Sequence, residues 1–153
     1  MTKDIIGILN KNIKQKTKCK KKGCKVNRAN IKTIFDPEND GIKNEWLKRK
    51  LPVNSGNSAI CDCIIVCKSG KVLVVEILCG TLTKYELDSK TTQIEHCKII
   101  LQILRVPFEK AFLLYETRDK KSLKTKFWQQ KINDLFRENI VPKQLKGKAI
   151  TIC

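Results

Sequence analysis

Residues 61–78 read CDCIIVCKSGKVLVVEIL and place two acidic residues inside two apolar runs joined by a short turn. Apolar runs of this length, rich in Val and Ile and separated by a Ser-Gly pair, predict the two antiparallel strands of a β-hairpin. Asp62 lies near the start of the first run and Glu76 near the end of the second. A buried carboxylate is unfavourable without a partner, so the presence of two acids in this hairpin needs an explanation.

The length of the turn decides whether the two acids meet. If Lys68, Ser69 and Gly70 form a three-residue loop with Gly70 in the left-handed conformation, Asp62 stands directly opposite Glu76. The two Cβ atoms would then be about 5 Å apart, and the carboxylates would repel each other unless a proton or a cation lay between them. Mg²⁺ suits such a pair, because it binds one or two carboxylates, a carbonyl oxygen and several waters. A two-residue loop would instead direct the acids to opposite faces and remove the site.

A purely structural explanation of the two acids stays open at this point. Asp62 could cap a turn or pair with a lysine, and Glu76 could be a single acid on an edge strand. Glu76 nevertheless interrupts a run that is otherwise apolar after Lys71. That position favours a functional reason for the charge.

The net charge of the chain indicates which classes of partner it binds. The 153 residues include 32 Lys and Arg against 15 Asp and Glu, a formal net charge of +17. Such an excess favours a polyanion through release of its counterions, and nucleic acid is the leading candidate. An anionic membrane surface or a lysine-rich surface without a specific partner are the alternatives. No apolar run is long enough for a membrane span, and the N-terminus does not resemble a signal peptide, so we expect an intracellular, cytoplasmic protein without a membrane partner.

Eight cysteines in a chain without a recognisable secretory signal predict free thiols, metal ligands or small buried side chains rather than a disulfide framework. Cys19 and Cys24 lie in a lysine-rich stretch and could form half of a zinc site or a disulfide. The cysteines within the strand-like runs are expected to be inert and buried, namely Cys61, Cys63, Cys67 and Cys79.

The chain divides by composition into two parts. Residues 1–40 carry eleven basic residues against four acidic ones and predict a basic N-terminal extension, while residues 41–153 predict a compact α/β domain. Its elements are expected in the order helix, strand, strand, helix, strand, helix, strand. This order predicts an α/β fold with a small mixed central sheet covered by helices on both faces. The predicted elements are a helix at 42–51, the hairpin at 60–79, a long helix opened by a capping box at Thr83 and Glu86, a strand at 111–116, a helix that contains Trp128, and a last strand at 148–153.

The residues that surround the hairpin carry a resemblance to a known family. Gly41-Ile42-Lys43-Asn44-Glu45 opens a predicted helix, Ser55-Gly56 follows in a loop, and Cys61-Asp62 heads a strand that leads through the turn to Val74-Val75-Glu76-Ile77-Leu78. Over residues 41–116 this order resembles the PD-(D/E)XK nuclease superfamily, and within it the archaeal Holliday-junction resolvases. The resemblance implies a restriction endonuclease-like fold and hydrolysis of DNA, duplex or branched, with Mg²⁺ or Mn²⁺ by a homodimer.

The resemblance also implies roles for individual residues. Asp62 and Glu76 would bind the metal, Glu45 would be an outer ligand or a base that orients water, and Ser55 would contribute from its loop. Gln93 matches the glutamine that many members of the family place beside the site. Cys61 replaces the proline of the motif, which is a mild change.

The most serious departure from the motif is Leu78, which stands where the family has a lysine. That ammonium is thought to orient the attacking water and to stabilise charge in the transition state. Lys90 is the best substitute, because it lies one helical turn before Gln93.

Further lysines are predicted to bind phosphates of the nucleic acid rather than to act in catalysis. They lie in the basic stretch at Lys20, Lys21 and Lys22 and in the loop that contains Lys121 and Lys124. The low aromatic content, 6%, favours contact with the backbone of a duplex over stacking on unpaired bases.

The sequence is compatible with three classes of function. The first is a metal-dependent endodeoxyribonuclease. The second is a nucleic-acid-binding protein that keeps the nuclease fold but no longer cuts, because Leu78 replaces the motif lysine. The third is a small zinc-binding interaction protein that uses Cys19 and Cys24.

Overall fold

A computed structural model describes residues 2–38, 41–50, 60–80, 84–116 and 126–153 of the chain. Within these residues lie four helices and nine strands. The helices are α1 (Thr2–Asn12), α2 (Glu45–Lys50), α3 (Lys84–Ile103) and α4 (Lys126–Arg137). The strands are β1 (Lys14–Lys16), β2 (Lys20–Lys21), β3 (Cys24–Val26), β4 (Ile31–Asp36), β5 (Cys63–Cys67), β6 (Val72–Leu78), β7 (Lys110–Tyr115), β8 (Ile140–Gln144) and β9 (Ala149–Ile150).

A mixed sheet of six strands forms the centre of the fold, in the order β1-β4-β5-β6-β7-β8. Strands β1, β4, β5 and β6 pair antiparallel, whereas β6, β7 and β8 pair parallel. The helices α3 and α4 make the two connections between the parallel strands, as such crossovers require. The prediction of a mixed α/β fold is therefore confirmed.

The helices pack on a single face of this sheet. Each of them places a buried leucine in the same apolar cluster, and these are Leu9, Leu47, Leu101 and Leu135. Alternate residues of the central strands, including Ile64 and Val74, fill the cluster from the sheet side. The prediction that helices cover both faces is wrong, because the other face is covered differently.

A small three-stranded sheet, in the order β2-β3-β9, covers the second face. Val26 and Ile150 from this small sheet pack with Ile65, Val75 and Ile77 of the large one in a second apolar cluster. The segment predicted as a basic N-terminal extension therefore supplies strands to both sheets, since β1 and β4 belong to the central sheet and β2 and β3 to the small one. Periodicity alone does not reveal strands of only two or three residues, such as β1, β2 and β3.

All eight cysteines form disulfides, which corrects the expectation of free thiols. The pairs are Cys19–Cys63, Cys24–Cys79, Cys61–Cys97 and Cys67–Cys153. Three of them join the region of the small sheet to the central sheet, and Cys61–Cys97 joins the central sheet to α3. Because disulfides persist mainly in oxidising compartments, the bonds favour an oxidising environment over the cytoplasmic location predicted from the sequence. No helix in the described part of the chain is long and apolar enough to cross a membrane.

Candidate functional site

The hairpin of β5 and β6 has the register that brings the two acids together. Cys63 pairs with Val75 and Ile64 pairs with Val74, so the next position outward sets Asp62 opposite Glu76. Gly70 has a φ of 95° and its N–H donates a hydrogen bond to the carbonyl oxygen of Cys67, which closes the three-residue loop. The predicted loop and register are confirmed.

Both acids are buried, and their surroundings differ. The side chain of Asp62 accepts a hydrogen bond of 2.7 Å from the N–H of Ile77 at Oδ2. Glu76 is 0% exposed, and neither of its carboxylate oxygens has a hydrogen-bond donor among the described residues. Oε1 of Gln93, on the facing helix α3, is also buried without a donor in that part of the chain. Buried polar atoms are nearly always satisfied in folded proteins, so these oxygens point to a ligand or water that completes the site.

Two lysines approach the acid pair from different elements. Nζ of Lys21, on β2, lies 3.1 Å from Oδ1 of Asp62 and 3.9 Å from Oε1 of Glu76. Nζ of Lys90, on α3, lies 4.0 Å from the same oxygen of Glu76. The two ammonium groups therefore partly compensate the charge of the acids from two sides.

This environment shifts the pKa values of the two acids in opposite directions. Burial raises the pKa of Glu76 well above its usual range, and the neighbouring carboxylate of Asp62 raises that pKa further. Burial would also raise the pKa of Asp62, but the neighbouring carboxyl group of Glu76, the charge of Lys21 and the N–H of Ile77 outweigh it and lower that pKa. The environment therefore favours the protonated form of Glu76 and the ionised form of Asp62.

The two lysines are also shifted in opposite directions. Burial lowers the pKa of Lys90, and the nearby charge of Lys21 lowers it further against the attraction of Glu76. For Lys21, burial would lower the pKa, but attraction to Asp62 and Glu76 raises it above its ordinary value. Lys90 is consequently the ammonium that gives up its proton more readily, while Lys21 stays charged.

Glu38 is a member of the site that the sequence analysis missed. Its carboxylate lies 3.9 Å from Nζ of Lys21, and burial together with the charge of Asp62 raises its pKa to about 7. It follows β4, the strand beside β5, so only the pairing of these two strands brings it next to Asp62. Nothing in the sequence around Glu38 indicated proximity to the hairpin.

The other predicted site residues are distributed as follows. Glu45 begins α2, its side chain is 71% exposed, and it pairs with Lys48 at 3.4 Å, so the structure does not join it to the acid pair. Lys20 is exposed on β2, and Lys22 lines a cavity beside Glu76. Ser55, Lys121 and Lys124 lie outside the described residues.

That cavity has a volume of about 460 Å³ and lies between the ends of β6 and α3. Lysines from the small sheet and from α3 line it together with polar side chains of the helix, namely Lys21, Lys22, Glu86, Ser89, Lys90 and Gln93. Leu78, at the position of the motif lysine, is part of the same wall. The cavity is therefore a basic recess at the end of the strand that carries Glu76.

The side chains at the acid pair suit a hard divalent cation. Asp62 and Glu76 offer carboxylate oxygens, and Glu38 offers another nearby, which is the donor type that Mg²⁺ and Mn²⁺ prefer. Both oxygens of Glu76 lack a hydrogen-bond partner among the described residues, and a cation there would compete with the proton that the surroundings favour on this group. A scan against protein-family models and searches of curated proteins and of solved structures found no match.

Proposed function

We propose that the protein is a metal-dependent nuclease that hydrolyses phosphodiester bonds of DNA on a restriction endonuclease-like fold. The observation that carries this proposal is the convergence of Asp62 and Glu76 on one side of the hairpin, with both oxygens of Glu76 buried and without a donor in the described chain. Lys90 of α3 stands 4.0 Å from Glu76, and Gln93 of the same helix lines the adjoining cavity, where the resemblance to the nuclease superfamily implies such a residue.

In this proposal Asp62 and Glu76 hold Mg²⁺ or Mn²⁺. The bound ion would supply an activated water and neutralise charge that develops on the phosphate. The raised pKa of Glu76 means that this carboxyl group must lose a proton before it can act as a ligand. Asp62 is already ionised and is kept in place by the N–H of Ile77.

Lys90 takes the part of the missing motif lysine. Its ammonium lies 4.0 Å from Glu76 and faces the cavity in which a phosphate would have to lie. The lowered pKa makes this group better suited to exchange a proton with water than an ordinary lysine. Gln93 lies about one turn further along α3, and its side-chain amide would position the substrate or the water.

The basic wall of the cavity supplies contacts for the DNA backbone. Lys20, Lys21 and Lys22 lie on the β2–β3 hairpin, and the formal charge of +17 favours binding through counterion release. Contacts from Lys121 and Lys124, a branched DNA substrate and a homodimeric assembly belong to the same proposal. So does an intracellular location, since some intracellular proteins of hyperthermophilic archaea and bacteria keep disulfides.

One observation favours a second candidate, a DNA-binding protein that does not cut. Lys21 places its charge 3.1 Å from Asp62, close to where a metal ion would bind, and Leu78 leaves the motif without its own lysine. A protein in which Lys21 permanently replaces the metal would keep the basic surface and lose the chemistry.

The deciding experiment is incubation of the protein with supercoiled, linear and four-way-junction DNA in the presence of Mg²⁺, Mn²⁺ or EDTA. We expect metal-dependent cutting, which Asp62→Asn and Glu76→Gln each abolish while binding of DNA persists. Glu109→Gln is the matched control, because Glu109 pairs with Lys71 on the surface near the opposite end of the hairpin. Cutting that survives the combined Asp62→Asn and Glu76→Gln substitutions would place the activity elsewhere, and binding without any cutting would favour the second candidate.

A further inference from the structure

A cluster of two cysteines and one glutamate lies just beyond the acid pair. Cys24 begins β3, Cys79 directly follows β6, and Glu116 directly follows β7. The parallel strands β6 and β7 end side by side, and the N–H of Glu116 donates a hydrogen bond to the carbonyl oxygen of Leu78. The sulfur of Cys24, from the small sheet, therefore lies next to the sulfur of Cys79 and the carboxylate of Glu116, from the central sheet.

The contacts within this cluster fit its oxidised state poorly. Oε2 of Glu116 lies 3.3 Å from Sγ of Cys24 and 3.3 Å from Sγ of Cys79. A disulfide has no hydrogen to donate, and within the described residues no lysine or arginine lies at ion-pair distance from Glu116. Contact of a carboxylate with both sulfurs of a disulfide therefore calls for another explanation.

We propose that Cys24, Cys79 and Glu116 form a zinc site when the disulfide is reduced. A dithiol reductant supplies two electrons and two protons, the S–S bond breaks, and the reductant itself becomes a disulfide. Zn²⁺ then displaces the two thiol protons and binds two thiolates and one carboxylate. Thiolate sulfur and carboxylate oxygen are established zinc ligands, and three protein ligands leave a fourth position open.

The spacing of the ligand atoms supports this assignment. With Zn–S of about 2.3 Å and Zn–O of about 2.0 Å, a tetrahedral site separates sulfur from oxygen by about 3.5 Å. Both sulfur-to-oxygen distances in the cluster are 3.3 Å, and the two sulfurs, which are bonded to each other in the oxidised state, would move apart to about 3.8 Å around a tetrahedral zinc ion after reduction. The carbonyl oxygen of Lys22, 3.3 Å from Sγ of Cys79, offers a further oxygen beside the cluster.

Access and electrostatics also favour a reactive sulfur pair. Cys79 lines the same basic cavity as Lys22, so a reductant and a metal ion can reach it from solvent. Nearby lysines lower the pKa of a thiol and stabilise the thiolate that zinc requires. In either state the cluster ties the β2–β3 hairpin to the end of β6, so zinc would replace the disulfide as the link that keeps Lys21 near Asp62.

The test measures zinc binding without DNA and so does not depend on the proposed nuclease activity. The reduced protein, freed of reductant, is titrated with Zn²⁺, and with Co²⁺ to record absorption from thiolate-to-cobalt charge transfer. We expect a single high-affinity zinc ion per chain after reduction and none before it. Glu116→Gln should weaken the affinity by at least about tenfold, since even changes beside a metal ligand typically have that effect.

Two matched variants separate this site from the other thiols and from the acid pair. The Cys24→Ala and Cys79→Ala double variant should lose the zinc ion, whereas Cys61→Ala with Cys97→Ala removes a different buried pair and should retain it. Asp62→Asn with Glu76→Gln should also retain it. Where reduction loosens the fold, zinc should raise the melting temperature of the reduced wild type but not that of Glu116→Gln. Zinc affinity that is unchanged by Glu116→Gln, or by loss of Cys24 and Cys79, would overturn the proposal.

Discussion

The ammonium of Lys21 lies 3.1 Å from the carboxylate of Asp62, although 41 positions separate the two residues in the sequence. Two disulfides flank this contact. Cys19–Cys63 joins the residue two before Lys21 to the residue after Asp62, and Cys24–Cys79 joins the β2–β3 hairpin to the end of β6. The two disulfides therefore hold Lys21 beside Asp62. A divalent cation bound by Asp62 and Glu76 would have to share these carboxylates with the ammonium of Lys21.

Substitution of Lys21 by Met tests this competition. Removal of a positive charge near the metal ligands should tighten Mn²⁺ binding by about tenfold. The reason is that the lysine charge and a bound cation at such a distance repel each other by several kcal/mol or less in a partly solvated site. The same change should lower the free energy of unfolding in EDTA by about 1–3 kcal/mol, since it removes a partner of buried carboxylates. Calorimetric Mn²⁺ titration and denaturant unfolding measure the two effects.

The matched control for Lys21 is its neighbour on the same strand. Lys20→Met removes an equal charge from an exposed position of β2, and it should change Mn²⁺ affinity and stability only slightly. Equal effects of the two substitutions would show that only the net charge of the hairpin matters. Weaker Mn²⁺ binding in Lys21→Met would contradict competition between the lysine and the metal.

Lys90 offers a test of the substitute for the motif lysine. Lys90→Met should lower the rate of DNA cleavage by about a hundredfold or more, the usual effect of losing one group that stabilises a transition state, and should leave DNA binding nearly unchanged. Leu78 lines the same cavity, so adding Leu78→Lys to Lys90→Met should restore part of the lost rate. Single-turnover cleavage measures both. A Lys90→Met enzyme with full activity would remove this residue from the mechanism.

The sequence predicted the centre of the site because its signal is local. The two apolar runs and the Ser-Gly turn predicted the hairpin, and of the two loop lengths that the sequence left open, the three-residue loop opposes Asp62 and Glu76 as the structure does. One helical turn likewise relates Lys90 to Gln93, and both reach the cavity. In such cases the spacing of a single element determines which side chains share a face.

The parts that the sequence did not predict depend on pairing between distant segments. Lys21 and Glu38 reach the acids only because β2 packs onto the central sheet and β4 pairs with β5. The disulfides were missed for a similar reason. Cysteine spacing does not define connectivity, and each of the four bonds joins residues that are far apart in the sequence. Glu45 was assigned by its order in the motif, but α2 exposes it.

The raised pKa values of Glu38 and Glu76 predict how the free energy of unfolding depends on pH. Both groups have a pKa raised by burial and by Asp62, to about 7 for Glu38, so the folded protein holds their protons more tightly than the unfolded chain does. The stabilisation from such protons is complete below the unfolded pKa and is lost as pH rises through the folded pKa. In EDTA, the free energy of unfolding should therefore fall between pH 5 and pH 8. The lowered pKa of Asp62 acts only below this window.

Urea unfolding at pH 5 and pH 8, with EDTA or Mg²⁺, checks this prediction. Glu38→Gln should reduce the fall in stability, because the amide does not titrate. Mg²⁺ should stabilise the protein more at pH 8 than at pH 5, since metal ligands must be deprotonated. A free energy of unfolding in EDTA that rises over this range would contradict the assigned protonation of the two acids.

The disulfide between Cys61 and Cys97 predicts a large stability effect close to the site. Cys61 precedes Asp62, and Cys97 lies one helical turn after Gln93, so the bond holds α3 against the strand that follows Asp62. Its separation of 36 residues corresponds to about 4 kcal/mol in the chain-entropy account of cross-links. Cys61→Ala with Cys97→Ala should lower the free energy of unfolding by about 2–4 kcal/mol in non-reducing denaturant titrations.

Alanine suits this double substitution, because both cysteines are fully buried and a serine hydroxyl would add an unsatisfied polar group. Ile94 and Leu101 still pack α3 onto the sheet, so the variant should keep its activity at low temperature and lose it at a lower temperature than the wild type does. The wild type treated with a reductant provides the comparison. Stability equal to that of the untreated wild type would mean that the two sulfurs are not bonded in the folded protein, and α3 would then depend on packing alone to hold Lys90 and Gln93 beside the acids.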